Sequence, residues 1–378
     1  MQAGAFLLLA ILVAAGLAVQ GANPFADTQS KDEAVAAFKD VENQLVKKDA
    51  NGLRSLFQAW KAQYKISYAP AEDGQRYANF EATLRRIIRT NRDTRSSYWA
   101  SLNQFSAMTD EEFKATLAAS LQRKHNGTAS TVSPAGGRRS LLALPNSKNW
   151  VLEGKVTPVK NQGSCGCCWA FAGTAAIESR ALIAMRKTVS TYKMDLSEQQ
   201  IVDCAKAPYF PYSFGCGGGQ LEDPFGYSAR GFQAPESLYP YTKVQGGCRR
   251  VAATSGRVTL SGIGFTEVPM NSATALKQAL MTSPVSLAYY TSEPSFRDYK
   301  GGIYNPSKCG GTYMVDHAVL LVGYDNSQKS WLFKNSWGSY WGEKGYFRMS
   351  MKPDGTQGTC QMYTWAVQPT NLKYPAPV

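Results

Sequence analysis

The sequence predicts an α+β protein, and three observations lead there. Apolar residues recur at helical spacing in the first third of the chain (Val35, Phe38, Val41, Leu45). The stretch from Cys168 to Arg186 is rich in Ala and Ile and holds neither Gly nor Pro after Gly173. From about Arg257 the pattern turns to short aliphatic and aromatic runs bounded by turn residues. Helices first and strands afterwards give segregated layers, not an alternating α/β sheet. A length of 378 residues accommodates two to three domains. With 44% hydrophobic and 18% charged residues, wholesale disorder is excluded. The net charge of +13 is scattered along the chain, which argues against nucleic-acid binding and suits solubility plus weak attraction to acidic surfaces.

The elements follow in order. Residues 3–19 are almost continuously apolar, too short for a comfortable membrane span, and are expected to be a secretory signal cleaved after Gly21. The segment departs from the usual pattern in lacking Lys or Arg ahead of the apolar run. That route permits disulfides and makes Asn126-Gly127-Thr128 an N-glycosylation site. One amphipathic helix is expected within 27–57 and a second over Glu72 to Asn91, after the Tyr68-Ala69-Pro70 break. A third covers Thr109 to Leu121, opened by a capping box of Thr109 and Glu112. Residues 122–143 are rich in Gly, Ser and Thr and contain Arg138-Arg139, a linker open to cleavage. Beyond Leu144 the chain becomes aromatic and Gly-rich and holds all eight cysteines. Helices are expected over 168–186 and Ser197 to Cys204, the latter capped by Ser197. Strands follow over Pro284–Tyr290, Ala318–Gly323, Ser330–Lys334 and Gly345–Met349.

The chemistry concentrates at Gln162-Gly163-Ser164-Cys165-Gly166-Cys167-Cys168-Trp169. A turn there leads into a helix at Cys168. A thiol at a helix N-terminus faces unpaired N–H groups and the positive end of the dipole, which lowers its pKa and favours the nucleophilic thiolate. A thiolate needs a proton partner, and that imidazole needs an orienting group. Only two histidines exist. His125 falls in the linker, whereas His317 opens an aliphatic strand. Asn335, after the next strand, would accept from one ring nitrogen and leave the other for sulfur. Asp316 is the competing carboxylate, but neighbours on a strand point to opposite faces. Gln162 and the Cys168 N–H would donate to an oxyanion.

These residues resemble the papain-like cysteine proteases with a cathepsin L-type propeptide. The likeness includes Pro158-Val159-Lys160-Asn161-Gln162-Gly163, the loop Gly215-Cys216-Gly217-Gly218-Gly219, and Asn335-Ser336-Trp337-Gly338 with Trp341-Gly342-Glu343 and Gly345-Tyr346. Glu72, Arg76, Phe80, Ile87 and Asn91 fit the interrupted propeptide motif known as ERFNIN, and Asn103 and Phe105 fit the motif after it. The chain departs from the family at Thr83, Ser101, Ala107, Cys167 and Gly217. Ala107 replaces an Asp, which puts an acid-sensing role there in doubt.

The resemblance implies a two-lobed fold, one lobe helical and one an antiparallel β-barrel-like lobe, with the active site in the cleft. It implies a signal at 1–21, an inhibitory propeptide at 22–143 (helical core 57–121, linker 122–143) and a catalytic domain at 144–378. It also implies disulfides Cys165–Cys216, Cys204–Cys248 and Cys309–Cys360, leaving Cys168 for catalysis and Cys167 as an odd thiol. A metal at Cys165, Cys167 and Cys168 lacks nearby histidines, and a Cys167–Cys168 disulfide would be strained. No cofactor or metal is expected. Gly218 and Gly219 would bind the substrate backbone. Gln220, Leu221, Ala288, Ala318 and Trp365 would form the main side-chain pocket, made shallow by Trp365 and suited to medium aliphatic groups. Trp337 would shield the His317–Asn335 contact. The expected partners are polypeptide substrates, the chain's own propeptide and cystatin-type inhibitors, with no nucleic acid and no membrane. The expected state is a monomer in the secretory pathway, a lysosome or vacuole, or outside the cell. The alternatives, a silent binding homologue and an acyltransferase, are disfavoured by the intact triad or need an amine that outcompetes water.

Overall fold

The computed structural model describes residues 23–119, 121, 144–230, 232–249, 251, 258–259, 263–291, 293–306, 308–309 and 314–372. The expected signal at 1–21 and the whole linker 122–143, with His125, Asn126 and Arg138-Arg139, lie outside the described residues. The main helices are α1 (Lys31–Ala37), α2 (Lys39–Lys47), α3 (Ala50–Tyr64), α4 (Pro70–Arg92), α5 (Asp110–Ala115), α6 (Cys168–Ala184), α7 (Glu198–Cys204), α8 (Asp223–Ser228) and α9 (Ala273–Leu280). The main strands are β1 (Tyr98–Ala100), β2 (Ser147–Asn149), β3 (Gly264–Glu267), β4 (Val285–Tyr289), β5 (Tyr299–Tyr304), β6 (His317–Asp325), β7 (Ser330–Lys334), β8 (Tyr346–Ser350) and β9 (Ala366–Thr370).

Two compact units result. The first holds described residues up to 113 together with 293–306 and 340–343. The single helix expected over 27–57 is here three. The chain bends at Phe38, α2 ends on Lys48 in the left-handed region, and Asp49 then caps α3 by accepting from the Gly52 N–H. No proline marks these breaks. Phe57, Trp60, Phe80, Leu84 and Ile87 are fully buried in one core. Asn91 clamps β1 to the end of α4, donating to the Ala100 carbonyl (3.0 Å) and accepting its N–H (2.8 Å). β1 pairs antiparallel with β5. Ala107 is fully buried in the same apolar core.

In the second unit the strands run in the order β8-β7-β6-β4-β9-β3, with β2 on β6. The pairings are antiparallel and the sheet is not closed. From His317 to Tyr324, β6 is buried throughout, so its aliphatic run reads as a strand covered on both faces. α6 packs against β6. It is buried nearly all round, which is why no polar stripe marks it in the sequence. A Cβ on Gly173 would come within 2.5 Å of Pro224, so glycine there admits α8. α5 ends at Ala115, short of the expected Leu121, with its capping box intact: Thr109 Oγ1 accepts from the Glu112 N–H at 3.1 Å and Glu112 accepts from the Thr109 N–H at 2.8 Å.

Candidate active site

Cys168 is the first residue of α6 and is fully buried. Burial pushes its thiol pKa up to about 12, against the backbone N–H groups of Ala318, Trp169 and Ala118, which favour the thiolate, while Asp316 adds to the rise. The helix N-terminus anticipated a lowered value. Desolvation outweighs the oriented N–H groups in this closed state. The Ala318 contact places the sulfur beside the start of β6, where His317 sits.

His317 Nε2 lies 2.8 Å from Asn335 Oδ1. Its Nδ1 is buried without a hydrogen-bond partner. Burial holds the imidazole down at about pKa 4, with the Asn335 bond opposing. Trp337 stacks on the ring at 4.7 Å between centroids, tilted by 28°. Asp316 points elsewhere and accepts the Thr291 N–H at 2.7 Å. Asn335 Oδ1 also accepts the Ser336 N–H at 2.8 Å, which fixes the amide.

Gln162 is equally constrained. Its Oε1 accepts from Ser336 Oγ at 2.6 Å. Its Nε2 donates to the Cys165 carbonyl (3.0 Å) and to the Thr116 carbonyl (3.2 Å). Thr116 belongs to the extended segment after α5. Two residues on, the Ala118 N–H donates to the Asp316 carbonyl at 3.1 Å. The intervening Leu117 carbonyl passes so close to Gly166 that a Cβ there would meet it at 2.6 Å. Residues 116–118 therefore lie across the thiol, the Gln162 amide and the residue before the imidazole.

Cys165–Cys216, Cys204–Cys248 and Cys309–Cys360 are bonded. Cys167 and Cys168 are free, buried thiols. Cys167 Sγ lies 3.0 Å from the Tyr241 hydroxyl, which donates to the Gln162 carbonyl at 2.7 Å. Gly218 is committed to its own loop: its N–H donates to the Gly215 carbonyl and its carbonyl accepts from Phe214. Gly219 and Gln220 follow, and the Gln220 N–H donates to Ser213 Oγ at 3.3 Å. Leu221, Ala288, Ala318 and Trp365 are buried. Ala288 opposes Ala318 across the β4–β6 ladder and donates its N–H to the Trp365 carbonyl at 3.0 Å. The Trp365 indole donates to Glu222 Oε1 at 2.8 Å.

Glu222, Ser336 and Tyr241 are the residues sequence reasoning missed. Glu222 adjoins Leu221, and Ser336 stands inside the Asn335 motif, so position alone hinted at them. Nothing near Tyr241 pointed to its bonds.

Residues 144–370 match the profile of the papain family cysteine proteases, and residues 57–113 match the cathepsin propeptide inhibitor domain. This chain belongs to the papain family. Its relatives include cysteine proteinase 2 of Zea mays, 36% identical over 355 residues covering 91% of this chain and 93% of the relative. Cysteine proteinase 3 of Solanum lycopersicum is 36% identical over 360 residues, 91% and 94% of the two chains. The proform of the ragweed pollen allergen Amb a 11 superposes with a TM-score of 0.73 at 30% identity, covering 86% of this chain and 96% of that one. The chain is thus a papain-family cysteine protease with a propeptide that acts as its intramolecular inhibitor.

Proposed function

We propose that this protease hydrolyses peptide bonds through a Cys168–His317 pair that forms once residues 116–118 leave. The supporting observation is that His317 presents only Nε2 to Asn335, so Nδ1 is left for the sulfur. With the segment gone, both groups regain solvent, the thiol pKa falls and the imidazole pKa rises, and proton transfer gives thiolate and imidazolium. The thiolate attacks the scissile carbonyl. Gln162 Nε2, released from Thr116, and the Cys168 N–H receive the oxyanion. His317 protonates the leaving amine. Water then attacks the acyl-enzyme, with His317 as base. The backbone of Gly219 aligns extended substrate, Gly218 shaping the loop that presents it, and Gln220, Leu221, Ala288, Ala318 and Trp365 border the main side-chain pocket.

The propeptide is read as 22–143, following a signal at 1–21 and preceding a catalytic domain at 144–378, with cleavage near 138–146. Routing through the secretory pathway to a vacuole, a lysosome or the exterior, glycosylation at Asn126, inhibition by cystatin-type proteins and a monomeric state complete the reading. The test compares wild type with Cys168→Ser, both carrying the propeptide, at acid pH with a reductant. Wild type should lose roughly 13 kDa, the share of 41.3 kDa carried by about 120 of 378 residues, and cut a fluorogenic peptide, whereas the variant should do neither. A Cys168→Ser protein that matures by itself and cuts the peptide would refute the assignment.

A further inference from the structure

The propeptide covers a strand edge in the first unit. β1 pairs antiparallel along β5, with Tyr98 opposite Gly302, Trp99 opposite Gly301 and Ala100 opposite Tyr299. The Ile303 N–H donates to the Ser97 carbonyl at 2.9 Å, and Ser97 Oγ donates to the Ile303 carbonyl at 2.7 Å. The Ser101 N–H donates to the Asp298 carbonyl at 3.0 Å. Tyr98 meets Tyr304 edge-on at 4.8 Å between ring centroids, and Ala100 is fully buried. The Trp99 indole lies on the two glycines: a Cβ on Gly301 would collide with it, and one on Gly302 would come within 2.9 Å. The pairing thus selects two aromatic residues followed by a small one.

The β5 side of this contact is built without help from the propeptide. Phe296 stacks on Tyr299 (6.1 Å) and meets Tyr304 edge-on (4.9 Å), and Trp341 packs on both Phe296 and Tyr299. The polar ends are satisfied internally. The Tyr299 hydroxyl donates to the Gly302 carbonyl at 2.7 Å, the Ser295 and Tyr304 hydroxyls share a 2.8 Å bond, and the Trp341 indole N–H donates to the Arg297 carbonyl at 3.0 Å. Departure of the propeptide therefore leaves this seat standing. It releases the Ile303 N–H and the Asp298 and Ile303 carbonyls from their bonds to 97–101, beside an aromatic face. An edge of that kind takes up another extended strand. The chain itself indicates which polypeptide can use it. Fifteen residues separate Ala100 from Thr116, where the same polypeptide begins to lie across the thiol. One polypeptide thus occupies the edge and the reactive groups together.

We propose that in the matured protease the β5 edge is a second substrate-binding surface, which takes an extended segment of the pattern aromatic-aromatic-small while the same polypeptide is cut at Cys168. Binding there raises the effective concentration of the scissile segment and lowers KM with no new contact to the reacting atoms. The proposal rests on reading Cys168 as the reactive thiol, although the edge shares no residue with the catalytic set.

A short fluorogenic peptide is compared with the same peptide extended by the sequence of residues 95–104 (Arg95 to Gln104) through a linker of about 15 Gly and Ser residues. The extension stands at the N-terminus of one probe and at the C-terminus of another. On the matured wild-type protein, at least one extended probe should show a KM about tenfold or more below that of the short one, with kcat little changed. A Trp99→Ala version of the extension should lose that gain. Excess free 95–104 peptide should abolish the gain and leave the rate on the short probe unchanged. Equal KM for short and extended probes, a gain that survives Trp99→Ala, or inhibition of the short probe by the free peptide overturns the site. A second reading needs no turnover: fluorescence anisotropy of labelled 95–104 peptide on matured protein whose thiol is blocked with iodoacetamide. Saturable binding that depends on Trp99 is expected, and no binding up to about 1 mM overturns the site. If the labelled peptide binds while the short probe is never cut, the edge stands and the assignment of Cys168 fails.

Discussion

Gln162 is held at both ends of its amide before any substrate arrives, by Ser336 Oγ and by the Cys165 carbonyl. Its remaining Nε2 proton is the one a developing oxyanion would take over from Thr116. Gln162→Ala should therefore lower kcat by roughly 10²–10³-fold with KM little changed, the signature of a donor used mainly in the transition state. Steady-state kinetics on the matured protein check this, and a change confined to KM would contradict it. Asn335 would act one step further back, by orienting the ring it contacts at 2.8 Å. Asn335→Ala frees the imidazole to rotate and strips the acceptor from a buried Nε2, so kcat/KM should fall on the order of 10²-fold. A full-rate Asn335→Ala enzyme would mean that Trp337 stacking alone positions His317. Gln162, Cys168, His317 and Asn335 could be picked out as candidates in the sequence, because each is a reactive or polar side chain standing in a distinctive local motif, and the structure brings Gln162 and Asn335 together through Ser336, and Asn335 to His317. Ser336, Tyr241 and Glu222 could not be. Their importance arises from partners far away in the chain (Ser336 with Gln162, Trp365 with Glu222), and no local pattern encodes such meetings.

The helices show the same division between local and distant causes. α4, α6 and α7 fall close to their expected spans because a proline start, a long Ala-rich run and a Ser cap are local signals. The splitting of 27–57 depends on Lys48 adopting a left-handed conformation that the sequence does not advertise. The early end of α5 depends on Thr116 reaching Gln162, a tertiary demand that overrides helix propensity. Strands β1 and β2 lie ahead of Arg257, where the sequence predicts none, whereas β3, β5 and β9 fall within the strand-rich stretch without having been singled out. β1 is three residues long and acquires its identity from Asn91 and β5, not from alternation. Within the first unit, α4 carries the grip of the propeptide on residues 293–306. Arg86, one helical turn after Thr83, donates to Asp298 and to Thr83 Oγ1, and Asp298 is almost fully buried. Thr83, where the family expects an Asn-type residue, thus serves as a prop for this arginine. Asn103 adds a 2.7 Å bond to the Arg297 carbonyl. Asp298 also lies 3.5 Å from Arg297 Nε, so removing Arg86 takes away one of its two cations together with a charge-assisted hydrogen bond of about 1.5–3 kcal/mol. An Arg86→Ala propeptide should therefore inhibit the matured protease at least about tenfold less tightly than the wild-type propeptide. Equal inhibition constants would show that the aromatic core and Asn103 suffice.

The closed state couples these parts to pH through two groups that cannot form their ion pair. His317 is held at about pKa 4 by burial, against about 6.5 for an exposed imidazole. With the thiol present, opening passes its proton to the imidazole and none need come from solvent. Cys168→Ser removes that internal source. In that variant the opened chain takes up a solvent proton as pH falls from 6.5 to 4, which the closed chain refuses, and closure loses on the order of 3 kcal/mol at the lower end of the window. Ala107 cannot contribute, being an apolar side chain in a sealed core. The imidazole beneath the occluding segment is one acid-sensitive group, and Glu112, held below the usual carboxylate range by Arg76, is another on the propeptide side. Hydrogen exchange at the Ala118 amide, which is bonded to Asp316, reads this directly. In Cys168→Ser protein, which should not cut itself, protection corrected for intrinsic exchange should drop as pH falls from 6.5 towards 4. Adding His317→Ala removes the titrating group and should flatten that drop. A drop of equal depth in the double variant would assign acid release to the carboxylates of the propeptide and not to His317.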